Sequence, residues 1–380
     1  MKEPIYLDYN ATTPVAPEVL EAMLPYLIEH FGNPSSSHVY GLIARQAVAE
    51  ARASVAALIH AREDEIVFTG SATEANNLAL LGIASALGRT RRHLVVSAIE
   101  HPAVMQPAQH LREMGWDLTV VPVDSYGRVD PFTVAAAVRP DTGLVSIMHA
   151  NNEVGTIQSI AEIARLVKPA GALLHTDAAQ SAGKVELDVD VLGVDLLTLA
   201  GHKFYAPKGV GALYVRTGMP IKPILFGADQ EHGLRPGTEN VPLVVGLGAA
   251  ARLAREHLPV ATEKLRMLRD ALHERLVTTV PGLMLNGHPT ERLPNTLHVS
   301  FPGIAGRELL SRVAGLVAAS VGSACHSETD AVSGILAAMG CNADRARGAV
   351  RLSVGWMSTP EEIEAAATAL SKGMTDFLVR

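Results

Sequence analysis

The sequence predicts an α/β protein built on a parallel β-sheet that helices cover on both faces. Two observations carry this prediction. From residue 65 onward, short runs rich in Val, Ile and Leu alternate with amphipathic segments, which is the order of strands joined by crossover helices. The notable polar residues follow these runs and do not interrupt them. Because ligands of open α/β sheets bind beyond the carboxyl ends of the strands, the same order predicts where a site would lie.

Each element is predicted from its own apolar period. A period of 3.6 residues predicts helices at Glu18 to Ile28, at Arg45 to His60 and from the glycine-containing turn at 70 as far as Ala84. Short apolar runs predict strands at 66–69, 93–98, 116–121, 142–148, 173–177, 194–199 and 212–215. Beyond them, the patterns indicate helices at 241–258, 263–279 and 360–378, and strands at 293–301 and 313–321.

The composition bounds the class of protein. The chain has 380 residues, 48% of them hydrophobic, and a formal net charge of −7, which indicates two or three folded domains and argues against a basic nucleic-acid-binding face. No apolar run reaches the roughly 18 residues of a membrane span, and the first ten residues lack the pattern of a signal peptide. Two cysteines without a CxxC spacing argue against a disulfide framework and a cysteine-based zinc site. We therefore expect a cytoplasmic protein without a metal site.

The segment from Leu199 to Gly211, LAGHKFYAPKGVG, holds an unusually placed lysine. Lys203 follows an apolar run that predicts a buried strand, and the chain has only eight lysines against twenty-four arginines. A desolvated lysine amine loses its proton readily and becomes a nucleophile. A surface lysine in a turn is the alternative, and position alone favours it.

Polar side chains stand at the ends of several successive predicted strands. The segment from Thr69 to Glu74 runs from a strand through small residues into a helix N-terminus, which suits an anion. Each of these polar residues alone is more commonly a helix cap or a turn residue. Together they predict one shared site, formed by Thr73, His101, Asn152, Asp177, Gln180, His202 and Lys203.

This set of groups fits pyridoxal phosphate. The amine of Lys203 can hold the aldehyde, Asp177 can keep the ring nitrogen protonated, and the helix N-terminus can hold the phosphate. Asp177 and Lys203 each end a strand of their own. A carboxylate at Asp177 could therefore face the ring from below, with His101 above it.

Several motifs together resemble one family over nearly the whole chain. They are NNEVG at 151–155, HTDAAQ at 175–180, GHKFYAPKGVG at 201–211, GLRPGTEN at 233–240 and GSACHS at 322–327. The sequence resembles the NifS/IscS-type cysteine desulfurases of the class V aminotransferases, including the selenocysteine lyase branch. The resemblance implies PLP fold type I: a large domain (16–255) with a mainly parallel seven-stranded sheet sandwiched by helices, and a smaller α+β domain (1–15 and 256–380). It also implies a homodimer.

The resemblance assigns roles position by position. Lys203 resembles the Schiff-base lysine that also moves the Cα proton, Asp177 the partner of the ring nitrogen, and His101 the residue stacked on the ring. Gln180 resembles the donor to the ring hydroxyl. Further cofactor contacts are implied for Ala72, Thr73, Asn152, His202 and, toward the phosphate of the neighbouring subunit, Thr238. Substrate contacts are implied for Asn33, Asn152 and Arg351. A planar guanidinium such as the last suits the carboxylate of an amino acid.

Cys325 completes the implied mechanism. Gly and Ser precede it and polar residues follow as far as Gly334, which indicates an exposed loop (about 320–334) where a thiol can react. A buried structural cysteine is the alternative. By resemblance, Cys325 takes the sulfur of L-cysteine as a persulfide, leaving L-alanine, and the loop then moves to deliver it to an acceptor protein for iron–sulfur assembly or for sulfur modification of tRNA or DNA. Cys341 matches no catalytic position and is expected to be structural.

Four features depart from the common pattern of the family. Ala200 replaces a serine that many members have three residues before the lysine, and Trp356 and His232 replace arginines. The run from Gly227 to Gln230 replaces a more glycine-rich one. The strings AGHK and VGSACHS are similar to the selenocysteine lyase branch, so an enzyme that releases selenium from L-selenocysteine is one alternative. A transaminase of the same fold and a catalytically inactive scaffold are the others.

Overall fold

The described chain forms one seven-stranded sheet and two smaller ones, with helices packed around them. The structure is a computed structural model that describes residues 3–322 and 333–378. Its strands are β1 (Ile5–Tyr6), β2 (Ile66–Thr69), β3 (His93–Ser97), β4 (Asp117–Val121), β5 (Thr142–Ser146), β6 (Leu173–Asp177), β7 (Leu196–Ala200), β8 (Gly211–Val215), β9 (Met284–Asn286), β10 (Thr296–Ser300), β11 (Val317–Ala318) and β12 (Ala349–Ser353). Its helices are α1 (Pro17–Ile28), α2 (Val39–Leu58), α3 (Ala72–Leu87), α4 (Pro102–Glu113), α5 (Pro131–Ala137), α6 (Ile160–Val167), α7 (Val189–Leu192), α8 (Val241–Thr279), α9 (Gly306–Val313), α10 (Gly334–Ala338), α11 (Ala343–Arg347) and α12 (Pro360–Leu378).

The seven-stranded sheet is mainly parallel, as predicted. Its strand order is β2-β8-β7-β6-β5-β3-β4. The five strands from β7 to β4 in this row run parallel to one another, whereas β8 is antiparallel to both of its neighbours. A short turn joins β7 to β8, and a short connection reverses the strand direction where a crossover helix would keep it. That turn contains Lys203.

Helices cover both faces of this sheet, which confirms the predicted α/β class. Every residue of β3, β5, β7 and β8 is buried. Successive side chains alternate between two hydrophobic clusters: Val95 packs with α1, α2 and the first half of α8, whereas Leu94 and Val96 pack with α3 and α4. Burying each Val or Leu contributes about 1.5–3 kcal/mol. The sheet is therefore a firm platform for the residues at its edge.

The long helix α8 corrects one prediction. Two helices are predicted with a break near Pro259, because proline lacks a backbone N–H and disfavours helix at the preceding residue. In the structure, α8 continues through Pro259 for 39 residues. Pro259 is exposed, while Val244 and Leu247 before it and Leu268 and Leu272 after it are buried in two different clusters. The burial of both halves outweighs the roughly 3 kcal/mol that an interior proline costs.

A third hydrophobic cluster, separate from the two around the large sheet, surrounds the antiparallel sheet β12-β10-β9, together with α12 and the second half of α8. Strand β1 reaches this cluster by pairing in parallel with β11, Ile5 opposite Val317. The strand predicted at 313–321 is wrong over most of its length, since α9 extends to Val313 and β11 has two residues. A turn at 314–316 lies between α9 and β11, so the apolar run does not form one continuous strand. None of the helices within 3–322 and 333–378 is both long and apolar enough to cross a membrane.

Candidate active site

A cavity of about 280 Å³ lies at the carboxyl edge of the seven-stranded sheet. It is lined by residues from chain segments that are far apart in the sequence, because parallel strands end at a common edge. The predicted site residues that line it are Ala72, Thr73, His101, Asn152, Asp177, Gln180, His202, Lys203 and Arg351. The structure thus brings most of the predicted set together, while the role of each residue stays a prediction.

Lys203 ends a short 3-10 helix (Gly201–Lys203) in the connection between β7 and β8, and the N-terminal segment holds its amine. Nζ donates to the main-chain oxygens of Asn10 at 2.6 Å and Ala11 at 2.8 Å. Two residues beyond, Tyr205 has a φ of 71°, a left-handed conformation that residues with a Cβ seldom adopt. The main-chain nitrogen of Tyr205 donates to Thr13 Oγ1 at 2.9 Å. The turn is therefore bound to the N-terminal segment on both sides of the lysine, which fixes the position of the amine.

Asp177 places a carboxylate at the buried side of the cavity. Its side chain accepts from Asn76 Nδ2 at 2.7 Å and from the main-chain nitrogen of Ala179 at 2.9 Å. A carboxylate accepts about four hydrogen bonds, so Asp177 can still accept an N–H from the cavity. Burial, with repulsion from Asp177 as a smaller cause, raises the pKa of nearby Glu100 to about 8. The protonated form of Glu100 is therefore favoured at neutral pH.

Two histidines at the cavity are neutral at physiological pH. Burial lowers the pKa of His101; the charge of Lys203 adds to this effect and that of Asp177 opposes it. His101 is the N-cap of α4, and its Nδ1 accepts from the main-chain nitrogen of Ala103 at 3.1 Å. Burial, with Lys203 as the next cause, lowers the pKa of His202 to about 4. The ring of His101 is thus flat, neutral and fixed at the start of a helix, which suits stacking on a planar ligand.

The N-terminus of α3 borders the cavity and suits an anion. Ser71 caps the helix, with its Oγ accepting from the main-chain nitrogen of Glu74 at 3.1 Å. Ala72 and Thr73, in the first turn, line the cavity. The first N–H groups of a helix lack intrahelical acceptors and stand at its positive end. Ala200, the last residue of β7, also lines the cavity.

Arg351 reaches the cavity from the smaller sheet. It lies in the middle of β12, and 3% of its side chain is exposed. Nη1 donates to the main-chain oxygen of Asn152 at 2.9 Å, and Nη2 forms an ion pair with Asp8 at 2.8 Å. Its Nε has no hydrogen-bond partner within the described ranges of the chain. A guanidinium has five N–H donors, so Arg351 retains donors for a ligand carboxylate.

Two predicted site residues, Asn33 and Thr238, do not line the cavity of the single chain. Asn33 lies on an exposed loop, and its side-chain oxygen accepts from the main-chain nitrogen of Ser35 at 2.9 Å. Thr238 is also exposed, and its predicted contact is with a second subunit. Cys325 and most of its loop lie outside the described residues. The predicted roles of all three stay predictions. Cys341, expected to be structural, is half-buried beside a small cluster that includes Leu336.

Three residues that the sequence reasoning missed shape the cavity. Asn76 is fully buried in α3 and holds Asp177, and a polar residue within an apolar helical pattern was the available signal. Glu100, directly before His101, accepts from Ser97 Oγ at 2.5 Å and joins the ends of β3 and β5. Asn10 acts through its main-chain oxygen, which no side-chain pattern reveals.

Comparison with known proteins identifies the family. A sequence profile of the family described as aminotransferase class-V matches residues 5–366. The chain belongs to the class-V aminotransferases. It is 46% identical over 360 residues to cysteine desulfurase IscS 1 of Archaeoglobus fulgidus, covering 94% of this chain and 94% of that protein. The class-V aminotransferase family depends on pyridoxal phosphate.

Solved structures within the class-V aminotransferases share the fold. A NifS-like protein, 37% identical, matches with a TM-score of 0.92 and covers 100% of both chains. The structure described as SspA in complex with cysteine, 36% identical, matches with a TM-score of 0.83 over 94% of this chain and 100% of that one. These matches confirm the predicted PLP fold type I and the resemblance to the NifS/IscS group.

Proposed function

We propose that this protein is a pyridoxal-phosphate-dependent cysteine desulfurase, which converts L-cysteine to L-alanine and transfers the sulfur to Cys325. The observation that carries the proposal is the meeting of the Lys203 amine, the Asp177 carboxylate and the N-terminus of α3 in one cavity. The relative at 46% identity is named a cysteine desulfurase, and a solved neighbour is described with cysteine. Both names support the same amino-acid substrate.

The residues of the cavity fit pyridoxal phosphate. The first turn of α3 offers main-chain N–H groups to the phosphate. Asp177 has acceptor capacity left for a protonated ring nitrogen, and His101 offers a flat, neutral face. Lys203 would hold the aldehyde, and Gln180, Asn152 and His202 complete the lining that we assign to the cofactor. When bound, the cofactor supplies an electron sink for Cα of the substrate.

Lys203 is the group that we propose moves the Cα proton. A neutral amine within hydrogen-bond reach of a carbon-bound proton serves as a general base and, once charged, returns the proton as an acid. The carbonyl oxygens of Asn10 and Ala11, at 2.6 and 2.8 Å, hold the amine in the cavity. The proton that Lys203 takes can thus be kept close to the carbon that loses sulfur.

The sulfur step balances without an external oxidant. The Cys325 thiolate attacks the substrate sulfur, a sulfur–sulfur bond forms and the carbon–sulfur bond breaks. The electron pair of the broken bond stays with the substrate carbon, which takes a proton and becomes the methyl group of alanine. The enzyme thiol is oxidised to a persulfide as that carbon is reduced. Because a persulfide exchanges with other thiols, we infer a reducing, cytoplasmic location and an acceptor protein that collects the sulfur.

Substrate binding is assigned to Arg351, with Asn152 and Asn33. A guanidinium that keeps unpaired donors at the cavity suits the carboxylate of L-cysteine. Arg351 is buried and already paired with Asp8, so its position does not depend on the ligand. Asn33 lies on the exposed loop after α1, and we propose that it approaches the site only in the assembled protein.

We propose that the assembly is a homodimer. Large apolar side chains are exposed along α1, the loop after it and the start of α2: Leu20, Leu24, Leu27, Ile28, Phe31, Val39 and Tyr40. Phe31 and Tyr40 stack with their ring centroids 5.5 Å apart. A contiguous apolar surface of this kind is typical of a subunit interface. Sedimentation velocity at micromolar concentration is expected to show a dimer.

The domain division that we propose is 16–255 for the larger domain and 1–15 with 256–380 for the smaller. Separate hydrophobic clusters support it, one pair around the seven-stranded sheet and another that joins Leu7 to residues 265–374. Because the division at 255/256 falls within the continuous helix α8, hydrogen exchange should distinguish the two units by different free energies of opening.

The decisive experiment is an assay with pyridoxal phosphate and L-cysteine. We expect an absorbance band near about 420 nm, which reports a cofactor linked to a lysine, and equal molar release of alanine and transferable sulfur. The Lys203→Ala variant should lose the band and the activity, whereas Cys325→Ser should keep the band and lose both persulfide formation and alanine release. Turnover of L-selenocysteine with none of L-cysteine would identify a selenocysteine lyase instead. Undiminished turnover by Cys325→Ser would favour a transaminase.

A further inference from the structure

Lys184 is a buried lysine that the proposed reaction does not use. It lies in the loop after β6, four residues beyond Gln180, and is 6% exposed. Its Nζ donates to the main-chain oxygen of Gln180 at 2.9 Å and to the side-chain Oε1 of Gln180 at 3.3 Å. Lysine is seldom buried unless it is paired, and the charges that act on Lys184 in the described part of the chain are those of Lys203 and Arg351. Both are positive, so a carboxylate partner does not explain its burial.

The hydrogen bonds of Gln180 leave its amide a single favourable orientation. Its Nε2 donates to the main-chain oxygen of Asn10 at 3.0 Å, the oxygen that also accepts from Lys203. A carbonyl oxygen can only accept, and the amine of Lys184 donates to Oε1 on the other side. Turning the amide over would place two oxygens together and set its NH₂ against the lysine amine. The Lys184 donor therefore distinguishes the two orientations of Gln180.

The loop that carries Lys184 is fixed independently of the amine. The main-chain oxygen of Lys184 accepts from Thr262 Oγ1, on α8, at 2.9 Å. Gly183 has a φ of 71°, and a Cβ there would lie 2.9 Å from the Cβ of Phe204 and 3.3 Å from that of Ala254. The loop is thus packed between α8 and the turn that follows Lys203. The backbone of this loop is held by the fold, and both hydrogen bonds of the Lys184 amine are made to Gln180.

We propose that Lys184 is a positioning residue for the reaction, which acts through Gln180. Its amine holds the side-chain oxygen of Gln180, so that the amide presents N–H donors, and not its carbonyl, to the cavity and to the main chain that anchors Lys203. This inference rests on the proposed function, in which Gln180 belongs to the lining assigned to the cofactor and, by the family resemblance, donates to the ring hydroxyl. An oxygen that carries negative charge is stabilised by an N–H donor and repelled by a carbonyl. Lys184, from outside the cofactor cavity, therefore determines whether the contact of Gln180 with the ring oxygen is attractive or repulsive.

The test is a double-mutant cycle on cofactor binding. Lys184→Met removes the donor, Gln180→Leu removes the amide, and a third protein carries both changes. Each is stripped of cofactor, and the dissociation constant and absorption spectrum of added pyridoxal phosphate are measured. We expect either single change to weaken binding roughly tenfold and to shift the absorption maximum in the same direction, and the double variant to be no weaker than Gln180→Leu. Effects of the two changes that add would overturn the inference, because Lys184 would then act independently of Gln180.

Two further variants keep the test decisive. Lys168→Met is the matched control: Lys168 also donates to a main-chain oxygen, that of Gly193, and pairs with Asp195 away from the cavity, so its dissociation constant and spectrum should equal those of the unaltered protein. Lys184→Gln keeps an amide donor and should retain part of the affinity. Should Lys184→Met not fold, the cycle is run with Lys184→Gln, and additivity overturns the inference in the same way.

The outcomes separate this inference from the proposed function. An unaltered protein that binds the cofactor, together with a folded Lys184→Met that binds it equally well and with the same spectrum, would overturn only the positioning role. An unaltered protein that binds no pyridoxal phosphate would overturn the proposed function and this inference with it.

Discussion

The two main sheets supply the cavity in different ways. In the seven-stranded sheet, parallel strands end at one edge, so His101, Asp177 and Lys203 meet there although they follow different strands. In the three-stranded antiparallel sheet, neighbouring strands end at opposite edges, and Arg351 reaches the cavity from the middle of β12. A parallel sheet thus gathers reactive groups through its topology. An antiparallel sheet contributes a group through the packing of one position.

The parallel edge should hold the cofactor and the antiparallel sheet the substrate, so the largest effect is expected at Asp177. Asp177→Asn removes the charge that supports a protonated ring nitrogen, and turnover should fall by at least about 100-fold. The KM for L-cysteine should change little. Steady-state kinetics measure both quantities, and Asp188→Asn, at the half-buried N-cap of α7, is the control with the same chemical change. A rise in KM with turnover preserved would contradict the assignment of the cofactor to the parallel edge and of the substrate to the antiparallel sheet.

The second effect concerns Arg351 and should have the opposite kinetic form. Arg351→Lys keeps one positive charge but loses the planar donor pair that suits a carboxylate. We expect the KM for L-cysteine to rise roughly tenfold, while the absorbance of the bound cofactor stays unchanged. Titration with L-cysteine, followed through the cofactor spectrum, checks this. Loss of the cofactor band in this variant would show that the antiparallel sheet also supports the cofactor.

How much of the fold and of the cavity could be predicted from the sequence differs between the two sheets. The strands that end at Asp177 and near Lys203 were predictable, because buried parallel strands read as continuous apolar runs with polar residues after them. Arg351 could be assigned only by resemblance, since nothing in AVRLS marks the middle residue of an edge strand as a ligand-binding group. The continuation of α8 through Pro259 was missed because it depends on the burial of residues on both sides of the proline in two different clusters. The rule that proline ends a helix considers only neighbouring residues and does not include that burial. The contact of Asn10 with Lys203 was missed because it uses a main-chain oxygen.

A third effect, on stability, is expected at Glu100 beneath the parallel edge. Its pKa in the folded protein is raised to about 8 from an ordinary value of 4.5. The folded protein therefore keeps a proton that the unfolded chain loses as the pH rises from about 4.5 to 8, so folding is progressively disfavoured over that range. Glu100→Gln removes this titration, and the fall in the free energy of unfolding between pH 5 and pH 8 should shrink by about 3–4 kcal/mol. Urea unfolding at both pH values measures it. An equal fall in both proteins would mean that Glu100 is ionised in the fold.

The smallest effect is expected at Trp356, which belongs to the proposed smaller domain and packs on Tyr205 of the proposed larger one. Its ring stacks on Tyr205 with the centroids 3.7 Å apart and the planes 12° from parallel, and its main-chain nitrogen donates to the Tyr205 hydroxyl at 2.8 Å. Trp356→Ala should lower the free energy of unfolding by roughly 1–3 kcal/mol, and Trp356→Phe by less than half of that. Thermal unfolding of the two variants provides the comparison. A loss of turnover without a change in stability would show that the stack serves the Lys203 turn more than the contact between units.

The N-terminal segment has a consequence for biosynthesis. Ile5 pairs with Val317, Asn10 accepts from Lys203 through its main chain, and the main-chain nitrogen of Asn10 donates to Ser353. During translation, Ile5 and Asn10 leave the ribosome long before their partners Val317 and Ser353. The N-terminal segment is therefore not yet fixed, and Lys203 is not yet held in place, when the connection that carries Lys203 first forms. Acquisition of the coenzyme should accordingly be a late event in the life of each polypeptide. Nascent chains that stop before β11 should remain colourless.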